Sequence, residues 1–151
     1  MAKPESVAGY QVRWMEVAGP IFESEGLDIR SGAITNMDAH ERAITRGFRA
    51  FLIECYIDEC IEQTGVRFAG MTRLAVLAHL VVDKHGWSFK EAFNTDREVL
   101  ETILMSDLTH WRLPDLAFRV ALGQVNSLAR YRDFLLPHCP EELKGQFDGP
   151  R

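Results

Sequence analysis

Two residues that could ligate a metal lie one helical turn apart near the middle of the chain. His79 and Asp83 are four residues apart, a spacing that lets both side chains reach one ion from a single helix face. An imidazole and a carboxylate can ligate Zn²⁺ or Fe²⁺, but His85 falls on another side of the same helix. Distant candidates for a third ligand are His40, Glu41 and His110. Because the chain has no H-E-x-x-H, E-x-x-H or C-x-x-C motif, we interpret His79 and Asp83 as an ordinary hydrogen-bonded pair and predict no metal and no other cofactor.

Four carboxylates are concentrated in the stretch Glu54, Asp58, Glu59 and Glu62. Paired carboxylates can perform acid–base chemistry, or can bind two metals when histidine motifs on facing helices support them. The chain offers no such motif, so we predict a solvated acidic surface here and no catalytic residue.

Arg42, Arg46 and Arg49 form a basic cluster shortly before these carboxylates. Guanidinium groups make paired hydrogen bonds to phosphates and carboxylates, so the cluster could hold such a group or an acidic partner. Arginines early in a helix and carboxylates late oppose the helix dipole. An antiparallel pair of such helices would place basic halves against acidic ones, as in a homodimer or a complex with a complementary protein. Because the acidic residues lie largely on another face, we interpret the cluster first as a plain exposed charge pattern and keep partner binding as the alternative.

Further candidates for partner binding lie in the second half of the chain. Trp111 and Arg112 stand between two predicted helices, and both residue types are frequent at interface hot spots. For Trp111 we prefer simple packing of the connection, with an interface anchor as the alternative. Arg119 and Arg130 lie on the polar face of the last long predicted helix, which we expect to meet water or a partner.

Composition indicates one ordinary globular domain spanning residues 1–151. The chain is 46 % hydrophobic and 26 % charged, with a net charge of −5. An acidic chain is poorly suited to nonspecific attraction to nucleic acid or to an anionic membrane. The sequence has no apolar run long enough to span a bilayer and no apolar core of a signal peptide near its start, so we expect a cytoplasmic protein. Cys55 and Cys60 should not form a disulfide bond, because five residues of helix separate them by about 7.5 Å along the axis and about 140° around it.

The N-terminal region admits two structures. An apolar stripe at helical spacing follows Ser6, a plausible N-cap, and consists of Val7, Tyr10, Trp14 and Val17. We predict a helix that ends at Gly19-Pro20. The alternative is a small hairpin in which the strand around Tyr10 pairs with residues 27–34.

Residues 36–64 form the most informative stretch, a long predicted helix that begins near Asn36 and ends at Gly65. Its apolar residues fall on two faces, one with Phe48, Phe51 and Leu52 and the other with Ile53, Ile57 and Ile61. A helix that is apolar on two sides must be covered on both. The sequence therefore predicts an all-α bundle of about five helices around this central helix.

The remaining elements complete that bundle. A strongly apolar helix is predicted over about 72–85, ending at Gly86, and we expect the other helices to surround it. Capping patterns at Ser88/Glu91 and at Thr95/Glu98 predict two further short helices, or one helix that breaks near Asn94. A last long helix is predicted from Pro114 until Pro137 stops it. Residues 1–5 and about 141–151 are expected to be flexible.

We expect this chain to be a non-enzymatic protein that acts by binding another protein, as a regulator, inhibitor, adaptor or immunity-type factor. The expectation rests on surplus apolar faces, segregated charge and the lack of a catalytic motif. The alternative is DNA binding through a helix-turn-helix-like arrangement over residues 72–105, although these residues carry few bases. A metal-dependent enzyme built on His79 and Asp83 is the third hypothesis.

Overall fold

A computed structural model describes residues 3–31 and 34–147, and 72 % of these described residues are helical. The α-helices in the described part are α1 (Val7–Ser24), α2 (Met37–Thr64), α3 (Arg73–His85), α4 (Phe89–Phe93), α5 (Arg97–Met105), α6 (Asp115–Val125), α7 (Tyr131–Leu135) and α8 (Lys144–Phe147). Short 3₁₀ turns occupy Gly65–Phe68, Leu136–His138 and Glu141–Leu143. The described residues form no strand, so the all-α prediction is confirmed.

The central helix α2 has the boundaries and the two buried faces that the sequence predicts. The Asn36 side chain accepts a hydrogen bond from the backbone N–H of Ala39 at 3.1 Å, and Gly65 ends the helix with a positive φ of 54°. The side chains of Phe51 and Ile57, one from each apolar face, are both fully buried. Helices α1, α3, α5 and α6 all pack against α2, which explains how both apolar faces avoid water.

Helix α1 replaces the possible hairpin and runs through Pro20, so the predicted stop at Gly19-Pro20 is wrong. Proline removes one backbone hydrogen bond, but Phe22 beyond it is buried, and the Ser24 hydroxyl donates to the carbonyl of Ile21 at 2.6 Å. Tertiary packing therefore extends the helix past its local stop signal. Trp14 is fully buried and meets Phe51 edge to face, with ring centroids 5.4 Å apart. Of the other hairpin strand, predicted over 27–34, residues 32–33 lie outside the described part.

The segment from α3 to α5 agrees with the predicted helices in part. Gly86 ends α3 in the left-handed conformation, with φ of 69°. Ser88 caps α4 as predicted: its hydroxyl accepts from the backbone N–H of Glu91 at 3.1 Å and donates to the carboxylate of Glu91 at 3.2 Å. The predicted cap at Thr95 is wrong: α5 begins after Asp96, because the Thr95 hydroxyl instead donates to the carbonyl of Glu91 at 2.6 Å. Helix α3 is not surrounded as expected, since Leu74 is 47 % exposed, and α2 occupies that position in the fold.

The last long helix and the flexible tail were predicted incorrectly. Helix α6 ends at Val125, and a turn through Asn126 and Ser127, residues of modest helix propensity, precedes α7. Residues 141–147 are folded, and Phe147 is buried against Phe118 with ring centroids 5.3 Å apart. Two apolar residues in the tail thus outweigh its polar composition. Residues 1–2 and 148–151 of the two expected flexible ends lie outside the described part, whereas Lys3 pairs with Glu62.

Cys55 and Cys60 form no disulfide bond with each other, as their spacing predicts, and all three cysteines are buried. Burial raises the pKa of the Cys55 thiol well above its usual range. Within the described ranges, no single helix combines the length and apolarity needed to cross a membrane; the stretch Met37–Phe68 meets that test only jointly with α3, across a 90° bend.

Candidate functional site

The prediction of a solvated acidic surface is wrong for Glu54 and Asp58 of α2, whereas Glu62 of the same predicted surface is exposed. Glu54 and Asp58 are each only 4 % exposed, and arginines from three other helices surround the pair. On a helical wheel the two carboxylates fall between the apolar faces marked by Phe51 and Ile57. Because both faces are covered, the gap between them is covered as well. The sequence thus held a signal for their burial that the density of charge obscured.

Six side chains from α1, α2, α3 and α5 form a continuous ion-pair chain, here named the ionic ladder. In order its members are Arg13, Asp58, Arg73, Glu54, Arg97 and Glu101. Nη1 of Arg13 lies 2.7 Å from Asp58 Oδ2, and Nη1 of Arg73 lies 2.9 Å from Asp58 Oδ1. Glu54 accepts hydrogen bonds from Arg73 and Arg97, and Nε of Arg97 donates to Glu101 at 3.1 Å. Three positive and three negative charges alternate, so the buried ladder is neutral as a unit.

The two glutamates of the ladder have opposite pKa shifts. Burial alone would raise the pKa of Glu54, but hydrogen bonds and charge from Arg97 and Arg73 outweigh it, so the pKa is lowered. Burial raises the pKa of Glu101, and its hydrogen bond to Arg97 compensates only in part. Glu54 therefore lies between two cations that favour its carboxylate form, an arrangement that joins α2 to α3 and α5.

The predicted arginine cluster is divided between two neighbouring elements. Nε of Arg42 donates to both carboxylate oxygens of Glu25, just after α1, with N···O distances of 3.2 and 3.0 Å. Arg46 and Arg49 turn toward α5 and share the carboxylate of Glu98, at 3.3 and 3.2 Å. Nη1 of Arg46 also donates to the hydroxyl of Ser24 at 3.3 Å. The three arginines therefore have intramolecular partners, which sequence could not supply because they come from α1 and α5.

A groove of about 340 Å³ lies between α1, α2 and α5, directly above one end of the ionic ladder. We name it the α1–α5 groove. Apolar side chains of Val17, Pro20 and Ile21 form one wall. The opposite side is charged and consists of Arg46, Arg49, Glu54, Arg97, Glu98 and Glu101. The groove thus combines an apolar wall with guanidinium groups, the chemistry that recognises small organic anions.

The suggested metal pair does not form, because His79 and Asp83 bind different partners. Asp83 forms an ion pair with Arg67 at 2.6 Å. The ring of His79 instead lies against Phe89 and Phe93, with centroids 4.6 and 5.6 Å away. Over residues 3–31 and 34–147, no group of three or more His, Cys, Asp and Glu side chains is placed to hold a metal. The more distant candidates are also apart: His40 lies 3.4 Å from the hydroxyl of Ser127, whereas His110 is exposed.

His79, Phe89 and Phe93 together form what we name the aromatic surface. Phe89 and Phe93 are one turn apart on α4, stacked with ring centroids 6.0 Å apart and an interplanar angle of 25°. They are 48 % and 49 % exposed. In the sequence, these residues were considered only as part of a possible DNA-binding segment. Two phenylalanines at i and i+4 in a capped five-residue helix nevertheless indicate an apolar patch.

The other predicted partner-binding residues make internal contacts. The indole N–H of Trp111 donates to Glu59 at 2.6 Å, and the ring meets Tyr56 edge to face at 5.3 Å. Arg112 donates to the carbonyl of Cys139 at 2.9 Å, which ties the connection before α6 to the C-terminal segment. Arg119 pairs with Asp115 and Arg130 with Asp133, both on the exposed surface.

The segment 72–105 contains the predicted succession of helices, but its charges do not suit duplex recognition. Helix α4 has one basic residue, Lys90, which is exposed and lies between two phenylalanines in the sequence. Helix α5 exposes Glu98, while its Arg97 belongs to the ionic ladder. A recognition helix needs several free bases to neutralise phosphates.

No protein-family model, no curated protein and no solved structure matches this chain.

Proposed function

We propose that this chain acts by binding another protein through the aromatic surface. The observation that supports this proposal is the exposure of two stacked phenylalanines, Phe89 and Phe93, at 48 % and 49 %. Full burial of a phenylalanine side chain is worth about 1.5–3 kcal/mol, so covering the exposed halves of both would contribute roughly 2 kcal/mol to association. Aromatic anchors of this kind dominate the binding energy of many interfaces.

The aromatic surface is preorganised, which favours binding. Ser88 and Glu91 cap the start of α4. At its end the side chain of Asn94 donates to the carbonyl of Lys90 at 2.8 Å. A helix fixed at both ends loses little conformational entropy when a partner covers it, so more of the burial energy is available for binding.

The surface also offers His79, whose ring lies under both phenylalanines. Three rings from two helices therefore form one patch instead of isolated side chains. Single exposed apolar residues are ordinary in soluble proteins, whereas contiguous ones mark interaction sites. The partner that fits is a protein with a complementary apolar pocket or helix face, and a second copy of this chain is one such partner.

Site-specific photo-crosslinking in the cells that make the protein tests this proposal. A benzophenone amino acid replaces Phe93 in one variant and Val12 in the control, because Val12 is 57 % exposed on α1, a different helix from those that form the aromatic surface. We expect a discrete covalent adduct from position 93 that position 12 does not give. Its mass identifies either a second copy or a different protein. Equal crosslinking at both positions, or no adduct at position 93, would contradict the proposal.

A further inference from the structure

The α1–α5 groove would carry an excess positive charge if Glu98 turned into solvent. Three arginines and three glutamates line it, so the lining is neutral as it stands: Arg46, Arg49, Arg97, Glu54, Glu98 and Glu101. Glu98 is 56 % exposed, so its ion pairs with Arg46 and Arg49 are solvated and of the weak surface kind. Without the Glu98 carboxylate the lining has one positive charge in excess, which one incoming negative charge would balance.

Arg49 has a donor that its own chain does not use. Its Nη2 bonds Glu98, whereas its Nε is buried and hydrogen-bonds no atom of the described residues. A buried N–H without an acceptor is unfavourable, so an acceptor that reaches it gains more than a surface hydrogen bond. Carboxylate oxygens match the geometry of guanidinium N–H groups, which bind them in pairs.

The groove also limits the size and polarity of what it can hold. A volume of about 340 Å³ is near the lower end for small-molecule sites. The wall of Val17, Pro20 and Ile21 favours an apolar chain beside the charged group. An inorganic anion would leave this wall uncovered, and a doubly charged ligand would exceed the single positive charge in excess.

We propose that the α1–α5 groove binds a small organic monocarboxylate, with its carboxylate between Arg46 and Arg49 and its apolar chain against Val17, Pro20 and Ile21. The ligand carboxylate takes the place of the Glu98 carboxylate, which moves into solvent. This site is separate from the aromatic surface, so its failure would leave the proposed protein-binding function untouched.

Titration of the full-length protein with 4-methylpentanoate tests the proposal, followed by the NMR signals of the arginine Nε–H groups. We expect saturable shifts of the Arg46 and Arg49 signals with a Kd of about 1 mM or tighter. Acetate lacks the apolar chain and 4-methylpentanamide lacks the charge, so each should bind at least about tenfold more weakly. Shifts that do not saturate, equal binding of acetate, or tighter binding of inorganic phosphate would overturn the proposal.

Three variants separate this site from general charge effects. Glu98→Gln removes the competing carboxylate at an exposed position and should tighten 4-methylpentanoate binding about fivefold. Arg49→Gln should abolish saturable binding, whereas the control Arg119→Gln, on the exposed face of α6, should leave the Kd unchanged. Unfolding midpoints of all three variants check that they are folded. Unchanged or weaker binding by Glu98→Gln would overturn the proposal whatever the arginine variant does.

Discussion

Neutralising one carboxylate of the ionic ladder should destabilise the protein far more than neutralising a surface carboxylate. The substitution Asp58→Asn keeps the shape of the side chain but removes the charge that faces Arg13 at 2.7 Å, in a pair whose side chains are each 3 % exposed. Removing one partner of a buried pair leaves an uncompensated charge and costs about 3–5 kcal/mol. Arg73 contributes less to this loss, because it is 18 % exposed and keeps Glu54 as a partner. The loss would be a large share of the roughly 5–15 kcal/mol that stabilises a typical domain.

Urea unfolding monitored by far-UV circular dichroism measures this loss. The matched control is Asp133→Asn, since the partner Arg130 is 80 % exposed and the pair should be worth at most about 1 kcal/mol. The double variant Arg13→Met/Asp58→Asn completes a cycle. It removes both charges, so its cost should be about 0.5–3 kcal/mol less than the sum of the single costs. A cost for Asp58→Asn below about 1 kcal/mol, or strict additivity in the cycle, would refute the role assigned to the buried ladder.

Further predictions concern pH and two glycines. Burial lowers the pKa of His138 below 6.5, because the folded state favours the neutral ring. As the pH drops below 6.5, the unfolded chain takes up a proton before the folded protein does, so the stability of the fold should decrease. The variant His138→Gln cannot titrate but can still donate to the carbonyl of Trp111. Its melting temperature should therefore fall less than that of the unsubstituted protein between pH 7.5 and pH 5.5, about 1 unit either side of 6.5. An equal fall in both proteins would contradict this prediction. Gly47 lies where a Cβ would be 3.1 Å from that of Ala18, so Gly47→Val should lower the free energy of unfolding by about 1–3 kcal/mol. Gly123 in α6 has open space around it, so Gly123→Ala should raise the free energy of unfolding by about 0.5–1 kcal/mol, and a loss in urea titration would count against this reading of the helix.

The central helix could be predicted closely because its signals are local. Asn36 and Gly65 mark its ends through their own side-chain and backbone chemistry, and the two apolar faces follow from the helical period. By contrast, Pro20 is a local stop signal that the packing of Phe22 overrides. The C-terminal segment was misjudged for the same reason, since two buried apolar residues suffice to fold a polar stretch.

The candidate sites were less predictable than the fold, because they depend on which elements meet. The arginine cluster was found from spacing, but its partners Glu25 and Glu98 lie 17 or more residues away along the chain. Likewise, the role of the buried Glu54 depends on its ion pairs with Arg73 of α3 and Arg97 of α5, which the sequence alone does not place beside it. The interpretation of His79 and Asp83 as a hydrogen-bonded pair fails because each has a nearer partner that sequence could not place.

The placement of the thiols makes covalent labelling a measure of how the molecule opens. Cys55 and Cys60 belong to the central helix, whereas Cys139 lies in the C-terminal segment, and all three are shielded from reagents while the chain is folded. An alkylating reagent therefore reacts only in molecules that have opened locally or completely. The order in which the three sites acquire the label distinguishes detachment of the C-terminal segment from disruption of the helix at the centre of the protein.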